Sequence, residues 1–144
     1  MDELALTYRG TVYPWQCDHV GHMNVMWYVG RFDEATWQAF SRVGLTPGFF
    51  RESRRGMAAV EQRIQYRREL HAGDVISIRS GIVDVREKSI TLLHAMERDE
   101  SGELAARTII VGVHLDLATR RAIALPEAVR ETALRARMKE PPGF

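Results

Sequence analysis

A single cysteine, Cys17, stands in a chain of 144 residues. One thiol forms no internal disulfide, and alone it builds no cysteine-based zinc site. Neither sign of charge is in excess. Twenty Lys and Arg oppose 19 Asp and Glu, a net +1, too little to argue for nucleic acid or an anionic membrane surface as partner. Nowhere do apolar residues run for the roughly 20 positions that span a bilayer. The opening Met1-Asp2-Glu3-Leu4-Ala5 has neither the basic start nor the apolar stretch of a secretory signal. Repeats and low-complexity tracts are missing as well. These absences lead us to expect a soluble cytoplasmic protein. What remains is 45% hydrophobic and 27% charged residues, the balance of an ordinary globule, and a length that suits one domain over residues 1–144. The charge is uneven along the chain: residues 1–50 hold three basic and five acidic groups, and the rest carries the positive excess. An anionic ligand is therefore expected to meet the second part.

Residues 6–13 are rich in Thr, Tyr and Val and read as a strand ended by Pro14. A loop follows from Trp15 to Met23, with Gly21 as its bend. From Asn24 the period changes. Val25, Tyr28, Val29, Phe32, Ala35, Thr36, Ala39, Phe40 and Val43 recur at spacings of three and four, the face of a helix about 20 residues long. Asn24 is placed as its N-cap and Gly44 as its stop. Gly30, costly inside a helix, is expected to permit a close packing contact. Thr46 to Gly56 reads as a polar connection.

Strands then dominate. Val60, Gln62, Ile64 and Tyr66 alternate with polar residues; Ile76, Ile78 and Ile82 share a parity, as do Ile90, Leu92, His94 and Met96. Arg86-Glu87-Lys88 and Asp99-Glu100-Ser101-Gly102 are turns. Ile109, Val111, Val113, Leu115 and Leu117 alternate with Thr108, Ile110, Gly112, His114 and Asp116. Pro126 opens a charged helix, Glu127 to Met138. Four consecutive strands with short turns must be largely antiparallel. A five-stranded sheet with one very apolar helix is expected to curl round that helix, giving an α+β fold. Its open edges make a homodimer the economical state.

The reactive residue types crowd into Cys17-Asp18-His19-Val20-Gly21-His22-Met23-Asn24. A helix N-terminus presents unpaired N–H groups and partial positive charge. A carboxylate six residues ahead of the cap can fold back over that end if a glycine allows the turn. A carbonyl polarised by those N–H groups would then meet Asp18, as nucleophile or as general base for water. Cys17, beside that carboxylate, would have its thiol pKa raised rather than lowered, so it reads as a packing residue. His19, His22 and Asp18 have spacing a metal could use, but no further ligands join them and no metal is expected. His94 and His114 lie within strands and read as hydrogen-bonded sheet residues.

At these positions the sequence resembles a known family. Asp18-x-x-Gly21-His22-Met23-Asn24-x-x-x-Tyr28, followed by a long amphipathic helix, is similar to the hot-dog-fold acyl-CoA thioesterases of the 4-hydroxybenzoyl-CoA thioesterase type, and the order of strands and helices agrees over nearly the whole chain. The resemblance implies a hot-dog fold in which an antiparallel five-stranded sheet wraps one long central helix, with a short C-terminal helix. It implies Asp18 as the catalytic carboxylate and the N–H groups near Asn24 and Val25 as the thioester carbonyl's partners. It implies a site between two subunits of a homodimer or a dimer of dimers. Coenzyme A enters as part of the substrate, with no separate cofactor, and its phosphates would lie near Arg86, Lys88 and Ser89. Glu61 takes a supporting role on the strand face away from the helix. His22, where several relatives have an apolar or aromatic residue, would orient water or the acyl group. Trp15, Trp27 and Tyr28 would line an acyl pocket. Three alternatives stay open: a hot-dog hydratase or dehydratase, a non-catalytic acyl-CoA-binding dimer, and a thioesterase acting on an acyl-carrier protein.

Overall fold

The structure, a computed structural model, describes residues 4–144. Strand β1 (Ala5–Thr11) leads through a 3-10 turn (Pro14–Gln16) to helix α1 (Val25–Ser41). A short helix α2 (Pro47–Ser53) precedes strands β2 (Arg55–Tyr66), β3 (Val75–Val85), β4 (Ser89–Arg98) and β5 (Leu104–Asp116), and helix α3 (Glu127–Ala136) follows. The five strands form one antiparallel sheet in the order β1-β3-β4-β5-β2. The link from β1 to β2 thus runs from one edge of the sheet to the other, and α1 lies within it.

Local chemistry sets the ends of α1. Asn24 caps it, its side-chain oxygen accepting from the Met26 N–H at 3.0 Å, and Gly44 (φ +100°) lies just beyond its end. Tyr28, Phe32, Ala35, Thr36, Ala39 and Phe40 are buried as the periodicity requires, but Val25 and Val29, at the margin of the stripe, are exposed. In their place the sheet buries Arg31. Gly30 makes no close contact: a Cβ there would meet nothing within 4 Å. Its absence of a side chain is therefore unexplained by packing within the chain.

The close approach occurs instead on β5. A Cβ on Gly112 would lie 2.8 Å from Phe40 Cζ and 3.4 Å from Met57 Cε, so α1 settles onto the sheet where β5 has no side chain. The face of β5 turned to α1 carries Ile110 and Gly112, whereas the more apolar parity supplies Ile109 to a second cluster with Leu4, Leu93, Ala95 and Met138. The centre of the sheet is therefore covered on both faces. Gly112→Ala is expected to lower stability by about 2 kcal/mol through overpacking against a buried ring, measured by urea unfolding.

Other expectations shift with tertiary context. The first strand ends at Thr11, and Tyr13 enters the 3-10 turn, its N–H donating to Gln16 Oε1 at 2.9 Å. The connection after α1 contains α2, capped by Thr46 and opened by Pro47; that N-cap-then-proline signal was present in the sequence. Val60 is 62% exposed rather than inward. A bulge between Ala59 and Glu61 makes it the extra residue, so the inward parity passes from Met57 to Ile64. Helix α3 stops at Ala136, and Met138 leaves it to donate its N–H to the Ile82 carbonyl at 2.8 Å.

Candidate active site

The loop ahead of α1 closes on itself. Cys17 and Met23 form an isolated bridge, the Asp18 N–H donates to the His22 carbonyl at 3.2 Å, and the Gly21 N–H returns to the Asp18 carbonyl at 3.0 Å. Gly21 sits at φ +99°, a conformation that favours glycine. The expected bend is there, and its result is that the Asp18 carboxylate lies against the helix cap. Asp18 Oδ2 accepts from Asn24 Nδ2 at 2.8 Å and Oδ1 from the Val20 N–H at 2.8 Å. The Asn24 bond, then the Val20 bond, hold the carboxyl below its usual range against a smaller opposing effect of burial. At neutral pH this group is a carboxylate.

Asn24 therefore has two roles in one side chain. Its oxygen caps α1 and its nitrogen orients Asp18. The cap occupies the Met26 N–H, and the Trp27 N–H donates to the Asn24 carbonyl at 3.0 Å. The Val25 N–H, first of the helix, has no acceptor among the described residues. Val25 also lines a cavity of about 230 Å³ with His22, Met23, Tyr28, Tyr66, Arg67, Arg68 and Glu69. Tyr28 packs its ring edge-on against Tyr66 at 5.1 Å, and burial raises its hydroxyl pKa, so it remains a neutral phenol. His22 Nε2 lies 3.8 Å from Glu69 Oε1, and His71 Nε2 lies 3.6 Å from Glu69 Oε2. No group of three or more His, Cys, Asp or Glu among the described residues could hold a metal ion.

The structure thus gathers Asp18, Gly21, His22, Asn24, Val25 and Tyr28 at one end of α1. It adds Tyr66, whose place in an alternating strand gives no sign of a site, and Arg67, Arg68 and Glu69. Their only signal was a charged run closing an apolar strand, and only the pairing of β2 with β5 carries that run to the helix. Within the chain, Trp15 does not join the cavity: it is 69% exposed and stacks on Tyr13 at 4.6 Å. Trp27 lines a different cavity, with Arg31. Glu61 is exposed beside the β2 bulge. Arg86, Lys88 and Ser89 lie at the β3–β4 turn, where Arg86 Nε pairs with Asp84 Oδ2 at 3.1 Å. The ten residues of β4, about 30 Å of strand, separate that turn from the Asp18 end. Cys17 is partly buried against the cluster containing Val12, Met23 and Tyr28, as a packing residue should be. His94 and His114 are both buried and hydrogen-bonded, His94 to Thr36 on α1 and Ser80 on β3, and His114 to the Ala124 carbonyl in the segment after β5.

Residues 12–133 match the thioesterase-like superfamily. The chain belongs to that superfamily. Its fold is the hot-dog fold, shared with solved structures at low sequence identity. One is a Staphylococcus aureus protein in complex with CoA (22% identity, TM-score 0.86, covering 98% of this chain and 89% of that one). Another is a Thermus thermophilus thioesterase complexed with coenzyme A and zinc (24%, 0.79, 94% and 96%). A third is the 1,4-dihydroxy-2-naphthoyl-CoA thioesterase of Synechocystis (20%, 0.77, 90% and 95%). No curated protein matches by sequence. Among the described residues of this superfamily member, no helix is long and apolar enough to cross a membrane.

Proposed function

We propose that the protein hydrolyses the thioester of an acyl-CoA, releasing a carboxylic acid and free CoA. One observation carries the reading: Asn24 joins the Asp18 carboxylate to the cap of the helix whose first residue lines the cavity. The thioester carbonyl accepts from the Val25 N–H at the positive end of α1. Asp18 then attacks the carbonyl carbon, or takes a proton from the water that does. The C–S bond breaks and the sulfur leaves as CoA thiol once protonated; on the nucleophilic route, water cleaves the resulting anhydride. Superfamily membership supports the reading, as do the CoA complexes of the similarly folded S. aureus and T. thermophilus proteins.

The working unit is a homodimer or a dimer of dimers in the cytoplasm. Val25, Met26, Val29 and Trp37 leave an apolar strip on α1, and Val60 stands exposed on the edge strand β2. A second copy packed antiparallel would cover such a strip and bring its own Arg86, Lys88 and Ser89 toward the Asp18 end, where the CoA phosphates need cations. Trp15 and Glu61, outside the cavity within one chain, take substrate-facing roles in the same assembly.

A panel of short, branched, aromatic and long-chain acyl-CoAs, followed by thiol release and by sedimentation of the enzyme, tests this. Stoichiometric thiol release from at least one member by a dimer or tetramer is the expected result. Binding without release would make the protein an acyl-CoA carrier. Hydration of an enoyl-CoA without thiol release would make it a hydratase, and turnover confined to acyl-carrier-protein thioesters would change the carrier.

A further inference from the structure

Arg31 is a charged residue in a place where an apolar one would pack more cheaply. It lies in the second turn of α1, only 5% exposed, and makes no ion pair among the described residues. Its Nε is buried with no hydrogen-bond partner. A cation buried without a counter-ion weakens a fold unless something else requires it.

Its remaining nitrogens all point to the segment ahead of the Asp18 loop. Nη1 donates to the Tyr8 hydroxyl at 2.7 Å, and Nη2 donates to the Thr11 carbonyl at 3.0 Å and to Gln16 Oε1 at 2.5 Å. Gln16 is itself buried, and the same Oε1 accepts the Tyr13 N–H at 2.9 Å. The Gln16 carbonyl in turn accepts the Asn24 N–H at 2.8 Å. From Asn24 the next bond is the one to Asp18. An unbroken chain runs from Arg31 through Gln16 and Asn24 to the carboxylate.

We propose that Arg31 is a positioning residue: its buried guanidinium clamps Gln16 to the end of β1 and so holds Asn24 and the Asp18 carboxylate in register with the first turn of α1. The proposal deepens the thioesterase reading and, in its catalytic consequence, rests on it. The clamp grips β1 at Thr11 and the 3-10 turn at Gln16, both ahead of the loop, from a residue on the helix that follows it, so both ends of the loop are tied together and it cannot slide along the helix. Register matters because a displacement of about 1 Å at a reacting group can cost on the order of 100-fold in rate.

Arg31→Met keeps length and apolar volume while removing charge and donors, and Gln16→Ala removes the acceptor with Arg31 intact. Each is expected to lower kcat about 10- to 100-fold with KM changed less than about threefold. The double variant should be no slower than the worse single one, because both cut the same chain. A second measurement does not need turnover: carbon-13 NMR titration of the Asp18 carboxyl. In either variant its depressed pKa should move up toward the ordinary value of 3.8, even if no thioester proves to be a substrate. A folded variant in which Asp18 titrates as in the wild type overturns the clamp. A shifted titration with wild-type kcat, or losses that multiply in the double variant, overturns its role in catalysis. Should Arg31→Met fail to fold, Gln16→Ala decides the same points.

Discussion

Asp18→Asn is expected to leave the fold and association state intact and to lower kcat for thiol release by about 10³-fold or more, the scale on which an essential acid–base or nucleophilic group acts. An amide is nearly isosteric with the carboxylate, so the loop can keep its path. It offers only one acceptor oxygen, however, and Asp18 uses both of its own, one for Val20 and one for Asn24. One of those bonds must be lost, and with it the charge that attacks or takes the proton. Stability should change little, because the side chain sits at the surface of the loop. The measurement is kcat across the acyl-CoA panel beside a thermal unfolding curve. Unchanged turnover would remove Asp18 from the mechanism and leave the N-terminus of α1 as a binding site alone.

Acid should destabilise the protein through a residue far from that chemistry. His94 has no exposed surface, and burial pushes its pKa down to about 3. Its hydrogen bonds define the neutral form. Thr36 Oγ1 donates its single proton to the Phe32 carbonyl at 2.9 Å, so it must receive the His94 Nε2–H at 2.8 Å. Nδ1 is then the acceptor: the Ser80 hydroxyl donates to it at 2.5 Å and itself accepts from the Thr7 hydroxyl at 2.7 Å. A second proton on the ring would face a donor in a dry core. In the unfolded chain the same ring protonates near 6.5. Between those two values the unfolded state binds the extra proton, so stability is full above about pH 6.5 and falls as pH drops toward 3. The loss reaches roughly 5 kcal/mol if His94 acts alone, at about 1.4 kcal/mol for each pH unit. His114, whose pKa burial also lowers, adds in the same direction, and carboxylates add their own dependence. The difference between wild type and His94→Gln isolates the His94 part. Urea unfolding at pH 7, 5.5 and 4.5 should show a shallower decline for the variant. Parallel profiles would mean that His94 is charged in the folded protein or that the unfolded chain protects it equally.

Much of this protein can be read locally. The three-and-four spacing of Tyr28, Phe32, Ala35, Ala39 and Phe40 defines a buried helix face, and Asn24 and Gly44 mark its ends. The Asp18-to-Tyr28 pattern located the loop, its glycine bend and the cap that holds the carboxylate. These features depend on residues within one or two helical turns, where backbone geometry alone decides which groups meet.

What the tertiary structure decided lies between elements. Val60 has an inward parity by alternation, yet a single bulge turns it outward. The more apolar parity of β5 faces the outer cluster, because α1 needs the space over Gly112 for Phe40. Arg31 looks like a surface position on the helix until β1 and the 3-10 turn surround it with acceptors. Tyr66 to Glu69 become part of the cavity only because β2 crosses to the far edge of the sheet and ends beside the α1 N-terminus. Period, caps and turns are short-range properties written into neighbouring residues. Which face is buried, and which distant charge reaches a site, depends on what the remaining chain packs there, and no window of adjacent residues contains that information.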